Sequence, residues 1–282
     1  MRRLKFYLLF LIIVSITACS PKTEEKLKRD SNENVEDERE VTGRRMSETL
    51  IARFDSLNLV DIQTVNSRIS VNLKYSSEDN FMGRILYDTL DRIFLQRDIA
   101  IRLSKCQDYL DSLRPGFRLH VFDGLRPKGV QKEMWDALDS IPVSLRGRFV
   151  SNPAFGSVHN FGAAVDLTIL DSLGIQLDMG AGYDDFRDIA FPKYEDKFLK
   201  SGDLSRQQWQ NRVLLRKVMA SQKFRNIPSE WWHFNGFSRI TASHKYQLVL
   251  NESSEVQWFR IEPKIDSHSD SLLNPVISAD SL

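Results

Sequence analysis

An aspartate inside an apolar run constrains this fold more than any other feature of the sequence. Ala163-Ala-Val-Asp-Leu-Thr-Ile-Leu170 is aliphatic and β-branched and reads as a buried strand. An ionised Asp166 in that setting is costly unless it is paired or bound to a cation, so the fold must deliver one or the other to it. Just upstream, Ser157-Val-His159-Asn-Phe-Gly162 sets an imidazole ahead of a glycine, and a residue without a side chain lets the loop carrying His159 fold back onto the strand. Beyond Pro228, Glu230-Trp-Trp-His233-Phe234 is aromatic and strand-like, which anchors His233 in the core with Glu230 one loop step away.

Two imidazoles, one carboxylate and a spare glutamate are the components of a catalytic zinc site. Such a site keeps three protein ligands, leaves a fourth position to water and needs a base that does not bind the metal. His159, Asp166 and His233 fit the ligand role, and Glu230 fits the base. Taken singly, each is more often an ordinary hydrogen-bonded residue. Only five histidines are present, however, and two of them fall within compact segments that hold the right carboxylates.

With Ser157 ahead of it, the segment from His159 to Asp166, followed downstream by Glu-x-Trp-His, resembles the zinc D,D-peptidases, which include D-alanyl-D-alanine dipeptidases of the VanX type and VanY-type carboxypeptidases. Leu73-Lys-Tyr-Ser-Ser-Glu-Asp-Asn-Phe-Met-Gly83 and Asp123-Gly-Leu-Arg126-Pro127 favour the dipeptidase branch, and the resemblance runs from residue 58 to 262. It implies one zinc ion per chain on His159, Asp166 and His233, Glu230 as general acid/base, and Arg126 stabilising charge on the scissile carbonyl oxygen. It also implies a substrate-contacting Ser157 and an ammonium-binding Asp184, with Asp185 leaving that register open by one residue. The implied reaction is hydrolysis of D-alanyl-D-alanine, a small D,D-dipeptide. The alternatives are a D,D- or L,D-carboxypeptidase trimming peptidoglycan stem peptides and, in a different class, a zinc-stabilised binding module without turnover. A structural zinc needs neither Glu230 nor Arg126, which argues against the module.

At the N-terminus, basic residues precede the apolar stretch Phe6 to Ile16 and then Thr17-Ala18-Cys19. This resembles a lipoprotein signal peptide over residues 1–18, with Cys19 becoming a lipidated N-terminus. The apolar run is short for a spanning helix, which weighs against an uncleaved anchor. Residues 19–46 read as a charged, disordered tether, residues 47–263 as the D,D-dipeptidase domain and residues 264–282 as a loose tail. An exported lipoprotein is therefore expected, bound to the membrane through Cys19. Ser20 favours the outer membrane, because the aspartate linked to inner-membrane retention is missing from that position. The formal net charge of +1 gives no electrostatic case for nucleic acid, and nothing in the sequence fixes an oligomeric state.

Of the two cysteines, only Cys106 remains once Cys19 is consumed, so no internal disulfide is expected. Cys106 joins Leu95, Ile99, Leu103, Leu110 and Leu113 on the apolar face of a helix predicted over 93–113. After Pro115-Gly116, alternation from Phe117 to Phe122 predicts a half-buried strand ending at Arg126, with His120 on its solvent side. Helices are predicted over 128–139 and 203–222, the latter with Leu214, Leu215, Val218 and Met219 inward, and closing strands over 246–250 and 256–261. His244 falls in a polar run and His268 in the tail, so neither receives a metal role. Helices and strands do not alternate regularly, which predicts an α+β domain with a mainly antiparallel sheet and flanking helices. The resemblance implies the zinc fold shared by D,D-peptidases and the Hedgehog signalling domain.

Overall fold

Side chains from three distant parts of the chain meet on neighbouring strands of one sheet. The computed structural model describes residues 46–262. It opens with α1 (Glu48–Ser56), whose first turn is capped by Ser47, and β1 (Leu59–Asp61). Then come β2 (Ser70–Val71), β3 (Phe94–Gln96), α2 (Arg97–Leu113), β4 (Arg118–Asp123), α3 (Lys128–Asp136) and β5 (Ala164–Leu170). The remainder is α4 (Glu195–Ser201), α5 (Arg206–Ala220), β6 (Arg225–Ile227), β7 (Glu230–Asn235), α6 (Arg239–Lys245), β8 (Leu248–Val249) and β9 (Val256–Gln257). Among the described residues no helix is long and apolar enough to cross a membrane. The expected signal peptide, Cys19, most of the expected tether, the expected tail and His268 lie outside the described residues.

The central sheet has the order β2-β4-β5-β7-β6 and is antiparallel except for the short parallel pairing of β2 with β4. All seven residues of β5 are buried because the strand has a neighbour on both edges and is covered on both faces. Helix α2 lays Ile99, Leu103, Cys106 and Leu110 into the core, and α5 adds Leu215, Val218 and Met219. Leu214, expected with them, is only half-buried. Burial pushes the Cys106 thiol up to about 12, as suits a packing residue.

The structure corrects several boundaries. The helix expected from 93 begins at Arg97, because Phe94–Gln96 pair antiparallel with Leu59–Asp61 and their backbone is committed to that ladder. Leu95 lies four residues before Ile99, so a strand residue falls in step with the helix period by coincidence. Helix α3 stops at Asp136, α5 begins at Arg206 behind a Ser205–Gln208 capping box, and the closing strands shrink to two residues each. The run around His244 folds as α6, capped by Ser238. His120 does not face solvent freely. It is half-buried, with Nδ1 2.9 Å from Ser70 Oγ and its ring edge-on to Phe122, and burial pushes its imidazole down to about 4.

One irregularity decides which side chains reach the site. Residues pair as His120↔Thr168 and Val121↔Leu167, but the ladder resumes at Asp123↔Asp166, so Phe122 is passed over as a bulge. On the other edge of β5, Asp166 pairs with His233. Asp123, Asp166 and His233 therefore stand in one row across β4, β5 and β7, where cross-strand side chains are nearest neighbours.

Candidate active site

The row on the sheet is completed by the turn before β5. Residues Val158–Phe161 form a single helical turn, capped by Ser157 Oγ, which accepts from His159 N, while Ser157 N donates to Asn160 Oδ1 at 2.7 Å. Gly162 ends the turn at φ 64°, in the left-handed region, and a β-carbon there would lie 2.5 Å from Leu59 Cδ2. The chain can reverse tightly into β5 only because that position carries no side chain. His159 is thereby laid over Asp166.

Three donor atoms converge. His159 Nε2 is 3.0 Å from His233 Nδ1 and 3.3 Å from Asp166 Oδ1, and His233 Nδ1 is 3.0 Å from the same oxygen. The far nitrogen of each ring has its own acceptor: His159 Nδ1 lies 2.7 Å from the Gly124 carbonyl oxygen, and His233 Nε2 lies 2.9 Å from Asn235 Oδ1. Those acceptors assign the ring protons outward, which turns two lone pairs and a carboxylate oxygen toward one another. Such a grouping is repulsive without a cation at its centre. A tetrahedral ion with bonds of about 2.0–2.1 Å sets neighbouring donors roughly 3.3 Å apart, so the triangle has the size a divalent metal requires. The outer hydrogen bonds are those that orient metal-ligating histidines. Burial raises the Asp166 carboxyl, but positive charge on the facing imidazoles outweighs it and holds the group well below the usual carboxylate range, a charge that a bound cation would supply when the rings are neutral.

Glu230 opens β7 and lies off this triangle, with Oε2 3.8 Å from His233 Nδ1. It is thus the first residue of the strand itself rather than a loop step outside it. Burial pushes its carboxyl up, against the pull of His233, which suits a group that must take and return a proton. Arg126 follows β4 and is buried; its Nε and Nη2 are 2.8 and 2.7 Å from Asp123 Oδ2, and Nη2 is 3.3 Å from Asp166 Oδ2. The Arg126 carbonyl accepts from Asn160 Nδ2 at 2.7 Å, which ties it to the turn bearing His159. Asp123 also accepts from Tyr87 Oη at 2.7 Å, so it braces the guanidinium from beneath. Its position three residues before Arg126 was the only sequence signal of that role.

Asp184 lines the same cavity, of about 230 Å³, with φ 57° and both carboxylate oxygens 3.3 Å from Tyr75 Oη. Burial, with the charges of Asp166 and Glu230, raises its carboxyl well above the usual range. A cationic ligand would relieve that. Asp185 instead receives Arg187 Nη2 at 2.5 Å and is not among the residues lining the cavity. Tyr75 and Tyr183, neither singled out from the sequence, link Asp184 to the triangle: Tyr183 Oη lies 3.1 Å from Tyr75 Oη and donates to Asp166 Oδ2 at 3.2 Å. The segment carrying Asp184 is held at both ends by buried Arg212 of α5, which donates to the Met179 carbonyl at 2.7 Å and the Ile189 carbonyl at 3.0 Å. Ser157 lines the cavity as well as capping the turn. Phe81, from the Asn80-to-Gly83 stretch, packs edge-on to Phe186 at the cavity wall.

The chain is similar to known proteins over most of its described length. The family model described as D-ala-D-ala dipeptidase matches residues 55–249. A D-alanyl-D-alanine dipeptidase of Escherichia coli (strain K12) is 31% identical over 200 residues, covering 71% of this chain and 93% of the relative. The D-alanyl-D-alanine dipeptidase of Synechocystis is 29% identical over 195 residues, 60% of this chain and 79% of the relative. That of Enterococcus faecalis is 28% identical over 181 residues, 57% and 82%.

Proposed function

The chain belongs to the D-ala-D-ala dipeptidase family, and from that footing we propose that it hydrolyses D-alanyl-D-alanine with one zinc ion held by His159, Asp166 and His233. The observation that carries this reading is the triangle of donors 3.0–3.3 Å apart with a carboxylate beside it and not in it. Zinc at such a site polarises a carbonyl and lowers the pKa of a water toward neutrality. Glu230 takes a proton from the attacking water and passes it to the departing amine nitrogen. Arg126, fixed by Asp123, donates to the oxygen on which negative charge develops, a contribution of about 3–4 kcal/mol for one well-placed donor. Asp184 pairs with the substrate's ammonium while Tyr75 Oη holds the Asp184 carboxylate at the cavity wall, and Ser157 contacts the substrate beside the His159 turn. A nucleophilic serine or cysteine is not needed.

Release of D-alanine tests the reading. Incubating the purified soluble region with zinc and either free D-alanyl-D-alanine or a stem pentapeptide should yield D-alanine from the dipeptide and little from the pentapeptide. The opposite preference would assign the carboxypeptidase activity instead, and zinc binding without hydrolysis of either would assign the binding module.

The N-terminal pattern ending in Thr17-Ala18-Cys19 supports export and lipid anchoring at Cys19, with the outer membrane favoured by Ser20. An exported dipeptidase does not reach the cytoplasmic dipeptide pool, so scavenging of wall-derived dipeptides is the physiological role that fits. Radiolabelled palmitate should enter the full chain and be lost in Cys19→Ala. Dipeptidase activity confined to the cytoplasm would refute the anchoring and the role together.

A further inference from the structure

Besides Asp166, which belongs to the donor triangle, the cavity walls carry two further acids, Asp184 and Glu230. The cations among the lining residues are Arg126 and Arg239. Arg126 is already engaged with Asp123 and Asp166. Arg239, the first residue of α6, is exposed at the cavity rim; its Nη1 lies 3.5 Å from the Gly156 carbonyl, next to Ser157, and among the described residues no carboxylate pairs with it. Ser238 caps that turn by accepting from Thr241 N at 3.1 Å, which fixes where the Arg239 side chain departs.

A free dipeptide carries two charges, each two bonds from the scissile C–N bond. Once the scissile carbonyl reaches the donor triangle, the ammonium and the α-carboxylate must both lie within the cavity. The carboxylate then enters a space already lined by acids, where an unpaired anion is costly. A guanidinium answers this with a planar fork of donors that matches a carboxylate. We propose that Arg239 binds the substrate's free α-carboxylate, on the residue that leaves, while Asp184 takes the ammonium at the other end. The assignment rests on the dipeptidase reading and narrows its substrate class to peptides with an unblocked C-terminus.

The test compares D-alanyl-D-alanine with D-alanyl-D-alaninamide, which has the same shape without the carboxylate charge, in wild type, Arg239→Met and Arg239→Lys. Wild type should favour the acid by roughly tenfold to a hundredfold in kcat/KM, the range of one charge-assisted contact. Arg239→Met should lose that factor on the acid, chiefly through KM, and leave the amide unchanged, so the preference collapses. Arg239→Lys should fall between. Metal content and melting temperature should be unaltered, since the side chain is exposed and touches only one carbonyl. An Arg239→Met enzyme that keeps the wild-type preference overturns the assignment. If wild type cleaves neither compound, the dipeptidase reading fails, and calorimetry on the same two ligands judges Arg239 alone. Tighter binding of the acid in wild type only would uphold the contact; equal binding by wild type and Arg239→Met would remove it.

Discussion

Asp123→Asn probes how the arginine is held. Asp123 is fully buried and accepts at 2.7 Å from Tyr87 and at 2.8 and 2.7 Å from Arg126. An amide keeps the shape but removes the charge; its oxygen stays on the guanidinium only if its NH2 faces Tyr87, whose hydroxyl must then turn to accept. Each charged hydrogen bond that becomes neutral loses about 1 kcal/mol. The guanidinium is also left buried with Asp166, at 3.3 Å, as its one remaining charge partner, beside the neutral Gln131 at 3.4 Å. The total should be about 3 kcal/mol, at the lower end of what breaking a buried ion pair costs. In a domain of this size that lowers Tm by roughly 6–12 °C. A loosened Arg126 also loses aim, so kcat should fall by up to about 10²-fold. Zinc content should hold, because His159 Nδ1 rests on the Gly124 carbonyl and not on Asp123. Tyr87→Phe, which removes one hydrogen bond and no charge, should cost about 1–2 kcal/mol and leave kcat near normal. Thermal unfolding and steady-state kinetics on the pair decide the matter. Asp123→Asn with wild-type Tm and kcat would refute the claim that this carboxylate positions Arg126.

Three further outcomes follow from single contacts. Arg212→Met frees the Met179 and Ile189 carbonyls and should raise KM roughly tenfold with little change in kcat, with new protease cleavage between residues 179 and 189. Gly162→Ala forces a β-carbon onto Leu59 Cδ2 at a left-handed position, so urea unfolding should show a loss of about 2–3 kcal/mol together with weaker zinc binding. His120 titrates at about 4 in the folded chain against 6.5 in the unfolded one, so its contribution is complete above pH 6.5 and is lost as pH falls toward 4; Tm measured against pH should fall less steeply in His120→Phe.

The candidate ligands His159, Asp166 and His233 were legible because each sits in a segment whose other residues explain it. The aliphatic run around Asp166 had to be a strand, and Gly162 had to be a reversal. The sequence did not show Asp123 bracing Arg126, because the strand expected to end at Arg126 stops at Asp123 and the aspartate joins the site only through the bulge at Phe122. Tyr75 and Tyr183 were invisible for another reason: nothing local says that two tyrosines far apart in sequence meet, one against Asp184 and the other against Asp166. That Asp184 lines the cavity while Asp185 pairs with Arg187 is equally absent from the composition of the loop. Leu95 misled because a strand residue fell in phase with the helix after it. Arg239 has no motif at all, and its significance comes only from the charges facing it across the cavity.

The central claim divides the labour between three ligands and one base, and the zinc-to-chain ratio of purified variants, measured beside their kcat, tests it most directly. Glu230→Ala should retain one zinc and its fold while turnover falls by about 10² to 10⁴, the usual cost of a lost acid/base. His159→Ala, Asp166→Ala and His233→Ala should lose zinc and turnover together. Near-normal turnover on D-alanyl-D-alanine in Glu230→Ala, or a loss of its zinc, would contradict the account and move the search for the base to Asp184 and Asp185.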